Sequence, residues 1–548
     1  MKINLTKKIV AGALLGLSLV SCGLIIGLDK KHNATSVDID KKHFSIVFSH
    51  SVSGETHPCG CRHHPLGGLP QVAGKLHDLK KSKDIFYVDT GDLLFPSNVV
   101  PSHIEKSLSF AALNLAKGLD KIGLKYFVPG DQDLALGWPF LKTVLKEVKF
   151  ELLISNLANE KTIAHKKFVK IKFGKKKIYM VGLVHPEAFN NRKLSKDFIS
   201  PITAMPKLLN ELKAQGYDNK NKNDLLVVLS HAGMDADEVL AKKFPQIDWV
   251  IGAHSQSFTN FPNEVGKTKL VQVLSKNHYF GEVMIADEGQ EIKEPFKYHE
   301  MREQVSELLK DNPWTKFIND HKTKLEVIRE QEQKMFSSFS SEHKKLATAQ
   351  SCLECHQDQS DHWQQTAHSV SFASLINANE ANNTTCIKCH SLGLDDKAGF
   401  VNFNDMVAFK GKDQKKEKEF KAHQDKYWKE VKNAFKGVES VRKESKKSIK
   451  RLSDKWIAID KKFGVEHSFA NVQCLNCHAQ HPDHPFSVGE GEKTPEKKFQ
   501  AMKDRCLSCH TPEQAPEWYG KDKRGIQSRI DDGKIRQMMK KISCPKIK

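Results

Sequence analysis

The chain is short of acid, of aromatic side chains and of uncommitted cysteine. Its 66 Asp and Glu stand against 86 Lys and Arg, a formal net charge of +20. A surplus of that sign attracts acidic partners or anionic lipid. Aromatic residues make up 8%, and the lysines run along helical stretches without aromatics between them. That excludes the stacked, electropositive groove of a single-strand binder, so no nucleic-acid partner is expected. Simple tandem repeats are absent apart from one short motif, which excludes a solenoid. Of 12 cysteines, eight fall in that motif, leaving Cys22, Cys59, Cys61 and Cys544. A length of 548 residues is too much for one ordinary domain, and 39% hydrophobic content is enough for real cores.

The repeated motif is C-x-x-C-H. It occurs as Cys352-Leu-Glu-Cys355-His356, Cys386-Ile-Lys-Cys389-His390, Cys474-Leu-Asn-Cys477-His478 and Cys506-Leu-Ser-Cys509-His510. Two thiols at this spacing form thioethers to a porphyrin, and the adjacent imidazole reaches the iron. Four covalently attached c-type haems are expected, with His356, His390, His478 and His510 as proximal ligands. Zinc or disulfides at the CxxC pairs would be the alternative. Electron-transfer haems commonly take a second His, and His343, His362, His368, His423, His467, His481 and His484 supply more than the four needed.

The N-terminus reads as an export signal. Lys2, Lys7 and Lys8 precede an apolar run from Ile9 to Val20. Leu19-Val20-Ser21-Cys22 then resembles a bacterial lipobox, which implies lipidation of Cys22. An uncleaved anchor helix is the alternative, because the apolar run continues through Leu24 to Leu28. Both readings tether the chain to a membrane with its body outside the cytoplasm, as in a bacterial periplasm. Gly23 after Cys22 leans toward the outer membrane. Haem attachment to CxxCH also takes place outside the cytoplasm, so compartment and cofactor agree. Residues 1–28 are thus expected as signal or anchor and 29–42 as a polar tether.

Residues 43–297 alternate β-branched runs with helical patterns, an α/β reading. Strands are expected at Phe44–Ser49, Ile85–Asp89, Lys125–Val128, Phe150–Ser155, Ile178–Val184, Leu225–Ser230, Trp249–Ile251, Lys269–Val273 and Glu282–Ile285. Helices are expected at Leu69–Lys81, Ile104–Lys121, Ile202–Gln215 and Ala236–Phe244. Short blocks follow the strands: Asp89-Thr-Gly-Asp92, Gly130-Asp131-Gln132-Asp133, Ser155-Asn156-Leu157, Ser230-His231-Ala-Gly233 and Gly252-Ala-His254-Ser-Gln256. Loops at strand ends are where α/β folds gather metal and catalytic groups.

With Gly67-Gly68-Leu69 opening a helix, this order resembles the calcineurin-like metallophosphoesterases, in particular their 5'-nucleotidase branch. The resemblance implies a four-layer α/β sandwich with two divalent metal ions that activate water against a phosphoester. Asp92 stands where the family has its bridging Asp, Asp131 where it has the Asn of G-N-H, and His231 and His254 at two His ligands. The departures are as informative. Ser51 and Ser53 replace the opening D-x-H, Gln132 the catalytic His, and Gln256 the last His of G-H-x-H. One metal position is thus largely gone, and neither Ser nor Gln can donate a proton as imidazole does. The family's nucleobase-stacking domain has no room here. His57-Pro-Cys59-Gly-Cys61-Arg-His63-His64 follows the first strand. Cys59 and Cys61 could rebuild the lost metal position with sulfur, bind a redox-active substrate, or form a disulfide.

Residues 298–347 read as a helical connector and 348–548 as a mainly α, loop-rich haem domain with a helical insert at 407–466. The segments Cys352–His356 with Trp363-Gln-Gln-Thr-Ala-His368, Thr385–Gly393, Asn471–His478 and Cys506-Leu-Ser-Cys509-His510-Thr511-Pro-Glu resemble the multihaem cytochromes c related to the electron-acceptor partner of hydroxylamine oxidoreductase. The resemblance implies closely paired haems. His368, His467 and His484 are then the preferred distal ligands, with His423 or His481 a fourth. The expected activity is electron transfer to redox partner proteins by a membrane-anchored cytochrome. A metal-dependent phosphoesterase with a small phosphoester substrate, or a sulfur-ester hydrolase, is the alternative for the upstream domain. A pyridine haemochrome assay on the exported protein should read four haems per chain, and fewer than three would refute the cytochrome reading.

Overall fold

The computed structural model describes residues 34–39 (backbone only), 43–58, 65–189, 191–255, 257–287, 291–335, 346–353, 355–394, 398–401, 403–412, 417–438, 440–478, 494–512, 514–521 and 527–545. Cys22, Cys59, Cys61, Gln256, His343, His481 and His484 lie outside them. The described residues divide into two compact units. The first runs to Ile318 without Pro65 and residues 102–107, and the second holds the rest.

The first unit is built on two mixed sheets. One has six strands: β2 (Phe44–Ser49), β3 (Asp84–Asp89), β4 (Leu124–Phe127) and β5 (Glu151–Leu152) run parallel, and β12 (Tyr279–Ile285) and β13 (Phe296–Glu300) extend it antiparallel. The other has seven, in the order β1 (Ala34–Ile39), β6 (Phe168–Phe173), β7 (Lys176–Val184), β8 (Asp224–His231), β9 (Trp249–Ile251), β11 (Thr268–Val271) and β10 (Asn263–Val265). Within it, β7, β8, β9 and β11 are parallel.

Period-two alternation assigns the faces. On β7 and β8, Ile178, Met180, Val184, Val227 and Leu229 join the core between the sheets. Their alternates Tyr179, Val181, Leu183, Leu226 and Val228 join a separate core with Met205, Leu208 and Leu212 of α4 (Pro201–Ala214) and Leu240 of α5 (Met234–Lys243). Phe44 and Phe173 meet from opposite sheets, with ring centroids 5.6 Å apart. On the six-stranded sheet, α1 (Leu69–Lys80) buries Leu69, Val72, Ala73 and Leu76, and α2 (Glu105–Ile122) buries Ala112, Leu115, Ala116 and Leu119. The i, i+3, i+4, i+7 spacing makes each a one-sided helix. The result is helices, sheet, sheet and helices.

All nine expected strands appear, Phe44–Ser49 and Trp249–Ile251 with the expected ends and the other seven with shifted ones. The strands β6, β10 and β13 and the helix α3 (Gly137–Lys146) were not expected from residue pattern. Residues 34–39, expected as tether, instead pair in parallel with β6 as β1. The edge of β6 offers unpaired backbone groups, and Ala-Thr-Ser-Val-Asp-Ile has the β-branched content to use them.

The second unit is mainly helical. From Asn319 on, α6 (Pro313–Met335) is held by Arg329 Nη1 on Glu380 Oε2 at 2.7 Å and by the Asn382 N–H on Glu326 Oε1 at 2.9 Å. The second CxxCH motif lies in α7 (Thr384–His390). The insert is a hairpin of α8 (Glu417–Ala434) and α9 (Lys446–Phe463), closed at its base by β14 (Val407–Phe409) paired with β15 (Val465–Ser468). Its apolar face of Phe420, Tyr427, Val431, Phe435, Ile449, Leu452, Trp456 and Ile459 shares one core with Val370, Phe372, Leu375 and Ile387. Beyond it lie α10 (Pro495–Cys509), the pair β16 (Tyr519–Lys521) and β17 (Gln527–Ile530), and α11 (Asp532–Ile542). No helix of the described residues is long and apolar enough to cross a membrane.

One buried charge ties the first unit together. Glu282 on β12 is 1% exposed and accepts from Ser45 Oγ at 2.7 Å, Lys83 Nζ at 2.6 Å and His299 Nε2 at 2.7 Å. Burial works against its ionisation, but the His299, Lys83 and Ser45 hydrogen bonds prevail and bring it down from 4.5 to about 2. Its contribution is therefore complete above about pH 4.5 and is lost as the pH falls toward about 2. Glu282→Gln should cost the unit about 3 kcal/mol at neutral pH. It should also flatten the loss of stability over that acid window, measured by thermal unfolding across pH.

Candidate metal and haem sites

The carboxyl ends of parallel strands from both sheets converge in the first unit. Asp92 lies three residues beyond β3, Asp131 four beyond β4, His231 is the last residue of β8, and His254 lies three beyond β9. Each of the four offers a ligand atom within 4.8 Å of the other three. His231 Nε2 is 3.5 Å from both Asp92 Oδ1 and Asp131 Oδ1, and His254 Nδ1 is 3.4 Å from Asp131 Oδ1. Asp92, Asp131 and His231 are buried, and His254 is the partly open member.

The fit to a cation rests on four observations. His231 Nδ1–H donates to the Thr90 carbonyl at 2.8 Å, which leaves Nε2 as the lone-pair nitrogen facing the carboxylates. Asp131 Oδ1 and His231 Nε2 are buried without a hydrogen-bond partner. The cradle is tight: a Cβ on Gly130 would lie 2.3 Å from Asp92 Oδ1, and one on Gly91, at φ +108, would lie 2.4 Å from His231 Nδ1. Backbone strain gathers here too. Of nine non-glycine residues at positive φ among those described, four are Ser51, Ser53, Asp92 and His254, and such residues cluster at functional sites.

Electrostatics follow from the same geometry. Burial resists a charge on His231, but Asp92 and Asp131 outweigh it and lift the imidazole to about 9. Burial also raises Asp92. For Asp131 burial is outweighed by His231 and His254, which hold it well below the usual carboxylate range. Burial and the Asp92 charge push Asp133 up to about 7, against the Gly130 and Leu94 N–H groups that hold it down.

The replaced ligands lie alongside. Ser51 N–H donates to Gly91 O at 2.7 Å and Ser53 N–H to Asp92 O at 2.8 Å. Ser51 Oγ is 3.1 Å from His50 Nδ1, and Ser53 Oγ is 3.5 Å from Gln132 Oε1. Two hydroxyls and an amide thus lie beside the loop that carries Asp92. Two contributors were not assigned from sequence. Asn98 Nδ2 donates to Asp131 Oδ2 at 3.2 Å, and Asp133 binds the backbone of both ligand loops. A second acid two residues after Asp131 was the available signal.

In the second unit each CxxCH motif meets a helical segment: Cys352 ends the turn Ala349–Cys352, the second motif lies in α7, Cys474–Cys477 form a turn of their own, and the fourth closes α10. Of the eight motif cysteines, seven are half-buried and Cys355 is exposed. The motifs come together in pairs: Cys352 lies within hydrogen-bonding reach of Cys474, and Cys389 of Cys509. His390 Nδ1–H donates to the Ser371 carbonyl at 2.7 Å, which fixes the orientation of its ring. His510 stacks on Trp518 with centroids 4.4 Å apart, and His368 lies 6.2 Å from the His510 ring. Burial lowers His368 to about 4, aided by Arg442 and His390 nearby. Burial, with Arg505 and His356, also lowers His478. His467 sits on β15 against Phe469. His423 belongs to the hairpin, where its Nε2–H donates to Phe463 O at 2.9 Å and its ring packs on Phe409. These residues suit covalent haem, whose iron would supply one-electron chemistry.

Comparison with known proteins finds a likeness to 5'-nucleotidases upstream and to a cytochrome c family downstream. Residues 351–412, with the first two haem motifs, match the family model described as Cytochrome c554 and c-prime. The 5'-nucleotidase of Bos taurus is 24% identical over 237 residues, 41% of this chain and 38% of that protein. The apyrase of Aedes albopictus is 28% identical over 221 residues, 37% of this chain and 36% of that protein. The match therefore spans under two fifths of either relative's own length. A 5'-nucleotidase precursor from Thermus thermophilus superposes with a TM-score of 0.43 at 17% identity, covering 62% of this chain and 68% of that one.

Gly130→Ala tests the cradle with little change in backbone freedom. It should lower zinc uptake by roughly tenfold or more while the haem count stays unchanged, measured by elemental analysis beside haem absorbance.

Proposed function

We propose that the protein is a membrane-tethered, extracytoplasmic c-type cytochrome carrying four haems that transfers electrons to redox partner proteins. In this reading its upstream unit holds one divalent ion on Asp92, Asp131, His231 and His254. The haem part is carried by four C-x-x-C-H motifs in one helical unit. The metal part is carried by the buried pair Asp131 Oδ1 and His231 Nε2, neither of which has a hydrogen-bond partner. Two imidazoles with two carboxylates form a ligand set suited to zinc or a similar ion.

When bound, such an ion polarises a substrate oxygen or acidifies a water. This chain's residues set the rest. His231 is fixed in orientation by Thr90 O, Asp131 is steadied by Asn98, and the partly exposed His254 forms the open side. Ser51, Ser53 and Gln132 replace the groups that would hold a second ion and donate a proton. The upstream unit therefore binds, or turns over slowly, a small phosphoester or sulfur-containing anion. Lipidation at Cys22, distal ligation by His368, His467, His484 and His423, and a role for Cys59 and Cys61 belong to the same proposal.

A competing reading is an efficient metal-dependent phosphoesterase, favoured by the nucleotidase and apyrase relatives. A metal and haem inventory of the purified holoprotein, with p-nitrophenyl phosphate as substrate, separates the two. About one divalent ion per chain, lost in Asp131→Ala and His231→Ala, with slow or absent turnover, is the expected result. Two ions with rapid turnover would favour the phosphoesterase. No ion in the wild type, or metal content unchanged in both variants, would remove the metal site from the proposal.

A further inference from the structure

Asp133 follows ligand Asp131 by two residues and is fully buried, yet it cannot itself be a ligand. Its Oδ1 accepts the N–H groups of Leu93 at 2.8 Å and Leu94 at 2.7 Å. Its Oδ2 accepts those of Asp92 at 2.8 Å and Gly130 at 2.7 Å. Both oxygens are thus committed to two backbone donors, whereas Asp131 Oδ1, facing the imidazoles, has no hydrogen-bond partner. All four neighbours of Asp133 are donors, so the ionised form satisfies them together.

The donors come from the two loops that carry the acidic ligands. Three successive N–H groups at 92–94 converge on one carboxylate, the concave arrangement that backbone amides form around an anion. Here the anion belongs to the protein. The tie is reciprocal, because Asp92 Oδ1 accepts the Gln132 N–H at 3.1 Å. Each loop therefore supplies a carboxylate to the backbone of the other. Asp92 is held at φ +58, which a non-glycine residue keeps only when its surroundings enforce it. Two like-charged side chains, Asp92 and Asp131, are brought to the same imidazole nitrogen against their mutual repulsion.

We infer that Asp133 is the positioning residue of the candidate metal centre, a brace that fixes the Asp92 loop against the Asp131 loop and so sets the spacing of the two carboxylate ligands. The inference rests on the proposal that these residues hold a divalent ion. Nothing in the brace depends on the replaced second position, so it applies equally to a binding site and to a hydrolase.

The test uses the haem-loaded full-length protein, zinc titration by calorimetry, and zinc K-edge X-ray absorption, which reads the coordination shell without interference from haem. Asp133→Asn keeps size and one acceptor oxygen but turns an amide toward two N–H donors. It should weaken zinc binding at least about tenfold and change the number or length of the oxygen ligands in the absorption spectrum. Asp133→Glu restores the carboxylate on a longer stem and should fall between wild type and Asn in both measurements. A wild-type zinc shell in Asp133→Asn, whether or not affinity falls, would overturn the brace, since general destabilisation lowers affinity without altering the shell. If Asp133→Asn fails to fold, Asp133→Glu decides: an altered shell supports the brace and a wild-type shell overturns it. A wild-type protein that takes up no zinc would instead refute the metal reading on which the brace rests.

Discussion

Carboxylates do not remain buried without compensation, and the first unit is arranged around that constraint. Asp89, Asp92, Asp131 and Asp133 all lie within a few residues of the ends of β3 and β4, and all are buried. Each is satisfied differently. Asp89 accepts from Ser49 Oγ at 2.6 Å and the Gly91 N–H at 2.9 Å. Asp133 is saturated by backbone. Asp92 and Asp131 are left facing two imidazoles with acceptor capacity to spare. Parallel strands bring the loops together, glycines at 91 and 130 let them close, and the uncompensated remainder is what makes the cluster a candidate cation site.

The same constraint separates strong residues from weak ones in this unit. Glu282 is as buried as Asp92, but it meets three donors and is structural. His50 is as buried as His231, but it faces no carboxylate, and burial with the nearby His231 lowers it to about 4 despite a bond to the Val273 backbone. A buried imidazole in this unit therefore marks a candidate site only where carboxylates with acceptor capacity to spare face it.

Much of this was legible from residue order. The long β-branched runs became central strands, because strands buried on both faces read as continuous apolar segments. The blocks after them supplied Asp92, Asp131, His231 and His254, which the fold brings together from four separate loops. Edge strands escaped notice: β10 has three residues and β13 buries only Phe296 of its five, so neither shows a period that composition can reveal. Asp133 stood in a quoted block without a role, because a carboxylate that serves backbone amides looks in sequence like one that serves a metal. The CxxCH motifs were plain at once, since their chemistry is local. Choosing distal ligands was harder, because that depends on which distant His reaches which turn. His368 lies 6.2 Å from the His510 ring, and His423 sits in the hairpin with its ring on Phe409.

The base of that hairpin has a consequence for how the chain varies in length. The β14–β15 pair places Phe409 opposite Val465, and the Lys410 N–H donates to Gly464 O at 2.7 Å. The insert thus leaves and re-enters the unit through a single doorway about one strand spacing wide. Residues added or removed at its far tip, around Gly437, would leave the doorway in place, and the third haem motif begins only a few residues past it. The tip is anchored as well, since Asn377 Nδ2 donates to Phe435 O at 3.2 Å and to Val438 O at 3.1 Å and Val441 is buried, so the insert is held at both ends and exposed Gly437 is the point between those anchors where added residues would leave both in place.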